Sequence, residues 1–402
     1  MNVRQWTLVL LLCVFAVDAG AQTRPDDMPA AARYHLGPLK LNPTIALSNM
    51  GVDNNVFNAA DTEQPKTDMT LTLTPRSDAW IQFGRAWVTG SMSEDLVYYR
   101  TFASERSVNS TYRGNLWLPL NRTTVTLGTG YLSTRDRPGY EIDARSRHSE
   151  ADVHGSVEVR AFGKTKIGVS AERTRIAFEP DAMFLGRSLR NELNRTTTMG
   201  EVSVRHALTP VTQLMVIVAR EQDRFEFSPL RDSDSTRVVG TLKFHARLAG
   251  SASFGYRDFQ PLDGRVPTYV GPTANVDMSV RPFGATRIGV QVNRDLQYSF
   301  ETEQPYYVET GTGLSVTQGL SGRYDIVGRY GIQHLGYQGR IGSSAALLNR
   351  ADVIHWFGGG IGYRVGRDMR IGFNVDKQRR TSDFLQHGYD GLRFGTSVTY
   401  GL

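Results

Sequence analysis

The strongest constraint on this chain is an alternation of apolar and polar residues with a period of two, which recurs along its whole length. The segments 241–248, 274–281, 287–293 and 369–375 show it most clearly. Successive side chains of a β-strand point to opposite faces, so each segment has one apolar and one polar face. No segment of comparable length has the 3.6-residue period of a helix. The sequence therefore predicts an all-β protein built from many amphipathic strands.

The connections between these segments come in two sizes that alternate along the chain. Short connections, rich in the Gly, Pro, Asn and Asp that tight turns require, lie at 75–78, 119–122, 162–164, 208–211, 248–251, 282–285, 320–322 and 365–368. Long polar connections lie at 51–66, 101–105, 136–150, 180–195, 228–235, 260–268, 301–305, 339–351 and 381–391. Short turns on one rim and long loops on the other are typical of membrane-spanning β-barrels, whose short rim faces the periplasm.

These connections predict a transmembrane antiparallel β-barrel of about 18 strands, with short periplasmic turns and long extracellular loops. Sixteen strands remain an alternative if one hairpin is miscounted. A globular two-sheet sandwich is the structural alternative, but the signal segment, the unequal connections and the length of 402 residues favour one large closed sheet.

The amino terminus has the three parts of a secretory signal peptide. Arg4 precedes an apolar run of twelve residues, 6–17, and Ala19-Gly20-Ala21 forms a small-residue cleavage site. We therefore expect a signal peptide at 1–21, a periplasmic lead at 22–35 and the barrel at 36–402. Cys13 is the only cysteine, so the mature chain would have no disulfide, thiolate metal site or cysteine nucleophile.

Composition excludes several functions and leaves one main class. The formal net charge is +6, but Lys and Arg are scattered and not clustered as a nucleic-acid surface requires. The eight His residues form no close metal-binding pair. The run Gly358–Gly362 lacks the Lys and Ser/Thr of a phosphate loop and is better explained by glycines on the inner face. We predict no catalytic residue, metal or cofactor, while an Asp-His or Ser-His site assembled from distant strands and a calcium-binding loop stay as alternatives.

A barrel of 16–18 strands leaves a water-filled interior, and the polar faces of the strands would line it. The alternation makes the following charged residues candidates for the pore lining: Lys243, His245, Arg247, Asp277, Arg281, Arg287, Asp295, Asp325, Arg370, Asp376 and Arg393. Rings of mixed charge can set the solute preference of a channel.

One loop carries an unusual string in which Arg and acidic residues interleave. It contains Arg135, Arg137, Pro138, Tyr140, Glu141, Asp143 and Arg145. Both an ordered, ion-paired loop and a solvated, mobile loop are consistent with this composition. We expect that one long loop, either 136–150 or 180–195, folds inward and narrows the pore.

This string and the segment Leu39–Phe57 resemble the corresponding segments of the β-barrel porin-2 type family of outer-membrane proteins. The last strand, which alternates up to Leu402, is similar to the carboxy-terminal signature of outer-membrane barrels, although that signature usually ends in Phe. The resemblance implies an outer-membrane location. Some family members accompany exopolysaccharide export systems, which implies a glycan as an alternative cargo.

The function predicted from these features is a porin-like channel for passive passage of small hydrophilic solutes. The alternatives are an accessory barrel for exopolysaccharide export, a barrel enzyme and a structural surface barrel. We expect four kinds of partner: outer-membrane lipid and lipopolysaccharide, the barrel-assembly machinery acting on the last strand, a small anionic solute, or a glycan. No nucleic-acid partner is expected.

Overall fold

The structure is a computed structural model that describes residues 32–320, 322–344 and 350–401. The predicted signal peptide 1–21 and most of the predicted lead lie outside these residues. The strands are β1 Tyr34–Leu36, β2 Leu39–Asp53, β3 Asp68–Phe83, β4 Ala86–Tyr99, β5 Ser107–Pro119, β6 Thr123–Thr134, β7 His148–Phe162, β8 Thr165–Phe178, β9 Met183–Phe184, β10 Arg187–Ser188, β11 Arg195–Thr209, β12 Thr212–Phe225, β13 Ser233–His245, β14 Leu248–Pro261, β15 Tyr269–Val280, β16 Thr286–Tyr298, β17 Tyr306–Gly319, β18 Tyr324–Gln338, β19 Ala351–Val365, β20 Met369–Ser382 and β21 Tyr389–Tyr400.

Eighteen of these strands, β2–β8 and β11–β21, form one closed antiparallel barrel within the described residues. Each barrel strand pairs with its neighbour along the chain, and β2 pairs with β21 to close the ring. Closure pairs backbone groups on both sides of every strand, which a lipid environment demands. The predicted fold class and strand count are confirmed, and the sandwich alternative is wrong.

Two short hairpins lie outside the barrel wall. Strand β1 pairs only with the start of β2, so strand pairing begins at Tyr34, within the last two residues of the predicted lead. Strands β9 and β10 pair with each other in the loop between β8 and β11. That loop also holds a short helix, α1 (Leu189–Leu193), whose first turn is capped by the side chain of Ser188. Among the described residues, no helix is long and apolar enough to cross a membrane.

The two faces of the wall differ as the alternation predicts. On β12, Val216 and Val218 point outward and are 42% and 49% exposed, while Glu221 and Asp223 point inward and are buried. The outer face of the barrel carries many exposed large apolar side chains, among them Val169, Val202, Phe254, Phe357 and Ile361. A soluble protein rarely exposes so large an apolar surface. The outside of this barrel therefore suits lipid, and the inside suits water.

The two-sized connections are present, but two short turns lie elsewhere than predicted. Residues 75–78 lie inside β3, and the turn is at Gly84 and Arg85. Residues 248–251 begin β14, and the turn is at 246–247. Pro75 fits within a spanning strand because it pairs with β2 at Ile45, while the ladder from β3 to β4 skips Thr74 and Pro75. The missing N–H of proline is therefore not needed for the second ladder.

Candidate functional site: the barrel lumen and its crossing loop

Most of the predicted pore-lining residues lie on inward-facing positions of the wall. These are Lys243 and His245 on β13, Asp277 on β15, Arg287 and Asp295 on β16, Asp325 on β18, Arg370 and Asp376 on β20, and Arg393 on β21. The structure pairs several of them with each other or with neighbours. Asp325 accepts hydrogen bonds from Arg370 on β20. Asp376 lies 3.0 Å from Arg329, and Asp53 accepts from Arg393.

Arg247 and Arg281 are the exceptions. Strand β13 ends at His245 and β15 ends at Val280. Both arginines therefore lie in turns at the short-turn rim, where the backbone N–H of Arg281 donates to the carbonyl of Arg247 at 3.2 Å. The alternation of apolar and polar residues continues in the sequence beyond the ends of these strands. For this reason both arginines were predicted to lie on the barrel wall.

Asp295 belongs to a four-residue charge network whose other members were not among the predicted pore-lining residues. Glu221 on β12 accepts hydrogen bonds from Arg237 on β13 and from Arg257 on β14, the latter at 2.8 Å. Asp295 lies 3.1 Å from Arg257 and 3.6 Å from Arg237. Two cations and two carboxylates make this network neutral. Arg237 has the same parity as Lys243 on one strand, so extending the alternation along β13 would have found it.

Glycines on the inner wall make room for large neighbouring side chains. A Cβ atom on Gly362 would overlap the guanidinium of Arg370, and one on Gly331 would overlap the indole of Trp356. One edge of the Trp356 indole therefore lies against Gly331 and Gly313. The run Gly358–Gly362 contributes to this inner surface through its alternate members, which contact Arg329, Asn374 and Arg370.

Apolar groups also reach the lumen. Met199, Met215, Ile217 and Ala219 form a buried cluster on the inner wall of β11 and β12, and they line a cavity together with Glu201 and Lys243. All four tryptophans in the described part of the chain, Trp80, Trp87, Trp117 and Trp356, face inward by the same alternation. The interior of the barrel is therefore not uniformly polar.

The loop of residues 135–147, between β6 and β7, crosses the barrel at the long-loop end; we call it the crossing loop. Glu141 of this loop accepts hydrogen bonds from Ser299 Oγ at 2.6 Å and from the backbone N–H of Phe300 at 3.1 Å. Those residues follow β16. Between β6 and β16 lie seven barrel strands on one side of the ring and nine on the other. The crossing loop therefore reaches nearly the opposite wall.

A second anchor ties the crossing loop to β20. The guanidinium of Arg380 donates to the Asp143 carboxylate at 2.6 Å and to the carbonyls of Tyr140 and Glu141 at 3.1 and 3.0 Å. Arg380 also donates to Asp352 on β19 at 2.5 Å. Arg380 is 1% exposed and Asp352 is 0% exposed. This buried ion pair joins the loop to the wall.

The Tyr140 side chain completes the docking by packing on apolar side chains of the inner wall. It contacts the buried cluster of Tyr307, Leu335, Tyr337 and Ile354, which comes from β17, β18 and β19. Because these four residues occur on three consecutive strands, the contact fixes the tip of the crossing loop against one arc of the barrel.

The remaining residues of the loop motif hold the loop in shape. Arg137 donates to the carbonyl of Val56 at 2.7 Å. Arg145 donates to Ser107 Oγ at 3.1 Å and lies 3.6 Å from Asp136. Arg135 lies 3.6 Å from Glu105. Pro138 lies in the loop between these anchors. These contacts favour the ordered, ion-paired alternative over the mobile one.

The other loop expected to narrow the pore, predicted at 180–195, spans residues 179–194 and packs beside the crossing loop. Leu189 and Leu193 of α1 form a buried cluster with Ile142, Phe178, Ala182 and Phe300. Arg231 lies 2.8 Å from Glu192 and donates to the carbonyl of Phe300 at 3.3 Å. The two loops and the segment 299–305 therefore interlock at the mouth of the barrel.

Burial shifts the pKa values of the loop carboxyls. Burial raises the pKa of Glu141 to about 7, against the opposing effects of Ser299 and Arg350. Burial also raises the pKa of Asp143, although the charge of Arg380 lowers it. In the loop between β20 and β21, burial lowers the pKa of His387 to about 4, and the charges of Arg350 and Arg380 act in the same direction. Among the described residues, no group of three His, Cys, Asp or Glu side chains is arranged to hold a metal ion.

A closed barrel of 18 strands with an apolar outside, paired charges inside and a loop folded into one mouth defines the class of porin-like outer-membrane channels. The chain belongs to the family described as putative beta-barrel porin 2, whose model matches residues 30–401. This confirms the family resemblance, and with it the outer-membrane location and the channel function.

The chain is similar to several solved structures at low sequence identity. OccK2 (OpdF) from Pseudomonas aeruginosa, solved in complex with glucuronate, is 9% identical, covers 90% of this chain and 97% of its own, and superposes with a TM-score of 0.51. A BenF-like porin from Pseudomonas fluorescens is 11% identical, with 90% and 98% covered and a TM-score of 0.49. The outer membrane protein OpdK from Pseudomonas aeruginosa is 11% identical, covers 90% of this chain and 98% of its own, and has a TM-score of 0.48. A search of curated proteins finds no match.

Proposed function

We propose that this barrel is a channel for small hydrophilic solutes in which the docked crossing loop sets the size of the passage. The observation that carries the proposal is the buried contact between Asp143 and Arg380. The contact holds a thirteen-residue loop, 135–147, inside the mouth of a wide barrel. A solute must pass beside this loop or wait for its release.

The charged wall supports a channel with mild selectivity. The carboxylates of Asp325, Asp376 and Asp53 each have an arginine partner across the wall, and the network around Glu221 is neutral. Paired charges leave the lumen polar without a strong field of one sign. Such a lumen admits hydrophilic solutes of either charge.

We also propose that the barrel is not an enzyme. The inner wall does hold an Asp-His pair, in which His154 Nδ1 lies 3.1 Å from Asp152. However, His154 Nε2 lies 3.2 Å from Asn115 Oδ1 and not from a hydroxyl. A hydrolytic triad needs a nucleophile at that nitrogen, so this pair fits a structural role better.

Conductance in a planar bilayer tests the channel and its loop. The Asp143→Arg variant places two guanidinium groups together and should release the crossing loop, so the unit conductance should rise. Asp263→Arg is the matched control, because Asp263 is also a loop carboxylate paired with arginines, Arg265 and Arg340, but it lies outside the crossing loop. If the wild-type chain forms no discrete channels, the diffusion channel is wrong; if both variants conduct like the wild type, the role of the loop is wrong.

A glycan is the second candidate cargo, and Trp356 is the observation that favours it. Its indole lies against Gly331 and Gly313, and the side-chain amide of Gln291 also lies beside Gly313. An aromatic ring beside an amide suits a sugar ring, which has both an apolar face and hydroxyl groups. Oligosaccharides should then block the channel current, and Trp356→Ala should weaken the block. Absence of any block at millimolar oligosaccharide would remove this candidate.

A further inference from the structure

The outer face of the barrel carries a group of arginines between β8 and β12 at the long-loop end. Arg173 and Arg175 on β8 and Arg220 and Arg224 on β12 have the outward parity of the exposed valines on the same strands. The side chains of Arg175, Arg220 and Arg224 are 63%, 67% and 40% exposed. Arginines on the outer face are costly within the apolar layer, so this group marks the polar edge of that layer.

The strand between the two arginine pairs has only small outward residues at this level. Strand β11 places Thr196 between Arg175 and Arg224, Thr198 beside Arg173, and Gly200 beside Arg220. Adjacent strands lie about 4.8 Å apart, so the two arginine pairs face each other across two strand spacings, or about 10 Å. A Cβ atom on Gly200 would meet nothing within 4 Å. The result is a trough with a floor of small residues and two arginines on each side.

An apolar surface continues directly below the trough. The next outward row consists of Val169, Val202 and Val218, which pair in register across the same three strands. These valines are 59%, 53% and 49% exposed. Below them lie Ile167, Val204 and Val216 in the same register. The combined surface is amphipathic: cationic at the long-loop end and apolar toward the other end.

The arginines keep an excess of charge after their local pairs are counted. Asp234 lies 3.1 Å from Arg220 and 2.7 Å from Arg224, and Glu226 lies 3.4 Å from Arg175. Four guanidinium groups over two carboxylates leave the trough positive. Asp234 lies on β13, on the outer side of Arg220 and Arg224. Glu226 follows β12, reaches Arg175 across the start of β11 and accepts a hydrogen bond from Asn194 there, so it lies at the loop end of the trough, at the level of Asn194 and not of Gly200.

We propose that this trough binds the phosphate groups of lipid A, the phosphorylated glycolipid of the outer leaflet, while its acyl chains lie on the valines below. Arginine forks bind phosphate oxygens in pairs, and basic residues at a membrane surface favour anionic lipid headgroups. The long loops mark the extracellular side, so the trough lies at the level of the outer-leaflet phosphates. This proposal is independent of what passes through the lumen.

Binding of defined lipids to the purified full-length barrel tests the assignment. We expect the wild type to bind bisphosphorylated lipid A about tenfold more tightly than its dephosphorylated form, measured by native mass spectrometry in detergent. The variant with Arg173, Arg175, Arg220 and Arg224 changed to Gln should lose this preference. Thr198→Trp keeps every charge but fills the floor, and it should also lose the preference.

The control removes outer cations from another part of the same belt. Lys377 and Arg379 on β20 also have outward parity and are exposed, so K377Q/R379Q should keep the preference. The lipid assignment would be overturned by any of three results. The wild type could bind both lipids equally, the control variant could lose the preference to the same extent, or millimolar inorganic phosphate could displace the bound lipid A completely. If the fourfold variant does not run as a folded barrel on a gel, R173Q/R175Q gives the same test, with half of the cations removed.

Discussion

Arg380 on β20 and Asp143 in the crossing loop form a buried ion pair at 2.6 Å, although 237 residues separate them in the chain. The same guanidinium also holds Asp352 and two loop carbonyls. One side chain therefore links the closed wall of the barrel to the loop that enters it. This relationship predicts how the channel responds to mutation and to pH.

Removing Arg380 should release the crossing loop. Arg380→Ala leaves the carboxylates of Asp143 and Asp352 buried without their cation, and breaking such a pair costs about 3–5 kcal/mol. Single-channel recordings should show larger or more frequent openings than in the wild type. Arg380→Lys should have a smaller effect, because it keeps the charge but loses the planar fork. The double variant Arg380→Ala/Asp143→Asn tests whether the two groups are coupled. If its effect on channel opening equals the sum of the effects of the two single variants, they are not coupled.

The docking of the crossing loop should depend on pH through Glu141. A carboxyl released into water has a pKa near 4.5, whereas burial raises the pKa of docked Glu141 to about 7. The docked state therefore binds more protons between these values, and docking should weaken as the pH rises from about 4.5 to about 7. Openings should become more frequent over this range.

Glu141→Gln isolates this effect because it keeps a neutral side chain at every pH. Its openings should vary less between pH 4.5 and 7 than those of the wild type. His387 acts in the opposite direction: burial lowers its pKa from 6.5 to about 4, so its share of stability is lost as the pH falls through that range. His387→Gln is therefore the second control. A pH response that is unchanged in Glu141→Gln would contradict the prediction.

Neutralising Glu221 should make the lumen more selective for anions. Glu221 accepts from both Arg237 and Arg257, so Glu221→Gln leaves one net positive charge on this part of the wall. The reversal potential in a salt gradient should shift toward anions, and the barrel should unfold at a lower temperature, since a buried pair has lost one partner. Glu94→Gln is the matched control: Glu94 binds Ser110 and Tyr112 on the outer face and should leave the reversal potential unchanged.

A side chain at Gly331 should destabilise the barrel through Trp356. Gly331→Ala puts a methyl group into the space of the indole, and overpacking of this kind costs about 1–3 kcal/mol. Thermal unfolding should show the loss, and Trp356→Leu in the same chain should restore part of it. Gly328→Ala on the same strand meets nothing within 4 Å and should be nearly neutral. Equal effects of the two glycine changes would show that the indole is not the cause.

The wall of the barrel could be predicted from the sequence because its information is local. Whether a residue faces in or out depends on its parity within one strand, and this placed Asp325, Arg370 and Asp376 correctly on the inner face. The errors occurred at strand ends. Arg247 and Arg281 continue the apolar–polar alternation of the sequence, but each lies in a turn, after its strand has ended. Pro75 looked like a turn residue and lies within β3, because proline needs only one intact ladder.

The contacts that define the candidate site could be predicted only in part. The crossing loop was noticed for its interleaved charges, yet its partners Arg380 and Asp352 were not, since each occurs in an ordinary alternating strand. Their role comes from closure of the ring, which brings β19 and β20 within reach of a loop that leaves from β6. Nothing in the spacing of residues 143 and 380 shows this.

The sequence by itself determined the strand count, the inner and outer faces, and the alternation of short and long connections, because period-two patterning and turn chemistry act over a few residues. Only the tertiary structure decided which charges meet across the wall, how the crossing loop is anchored, and which outer arginines flank the trough on β11. Those relationships depend on strand register and ring closure, which bring together residues that lie far apart in the chain.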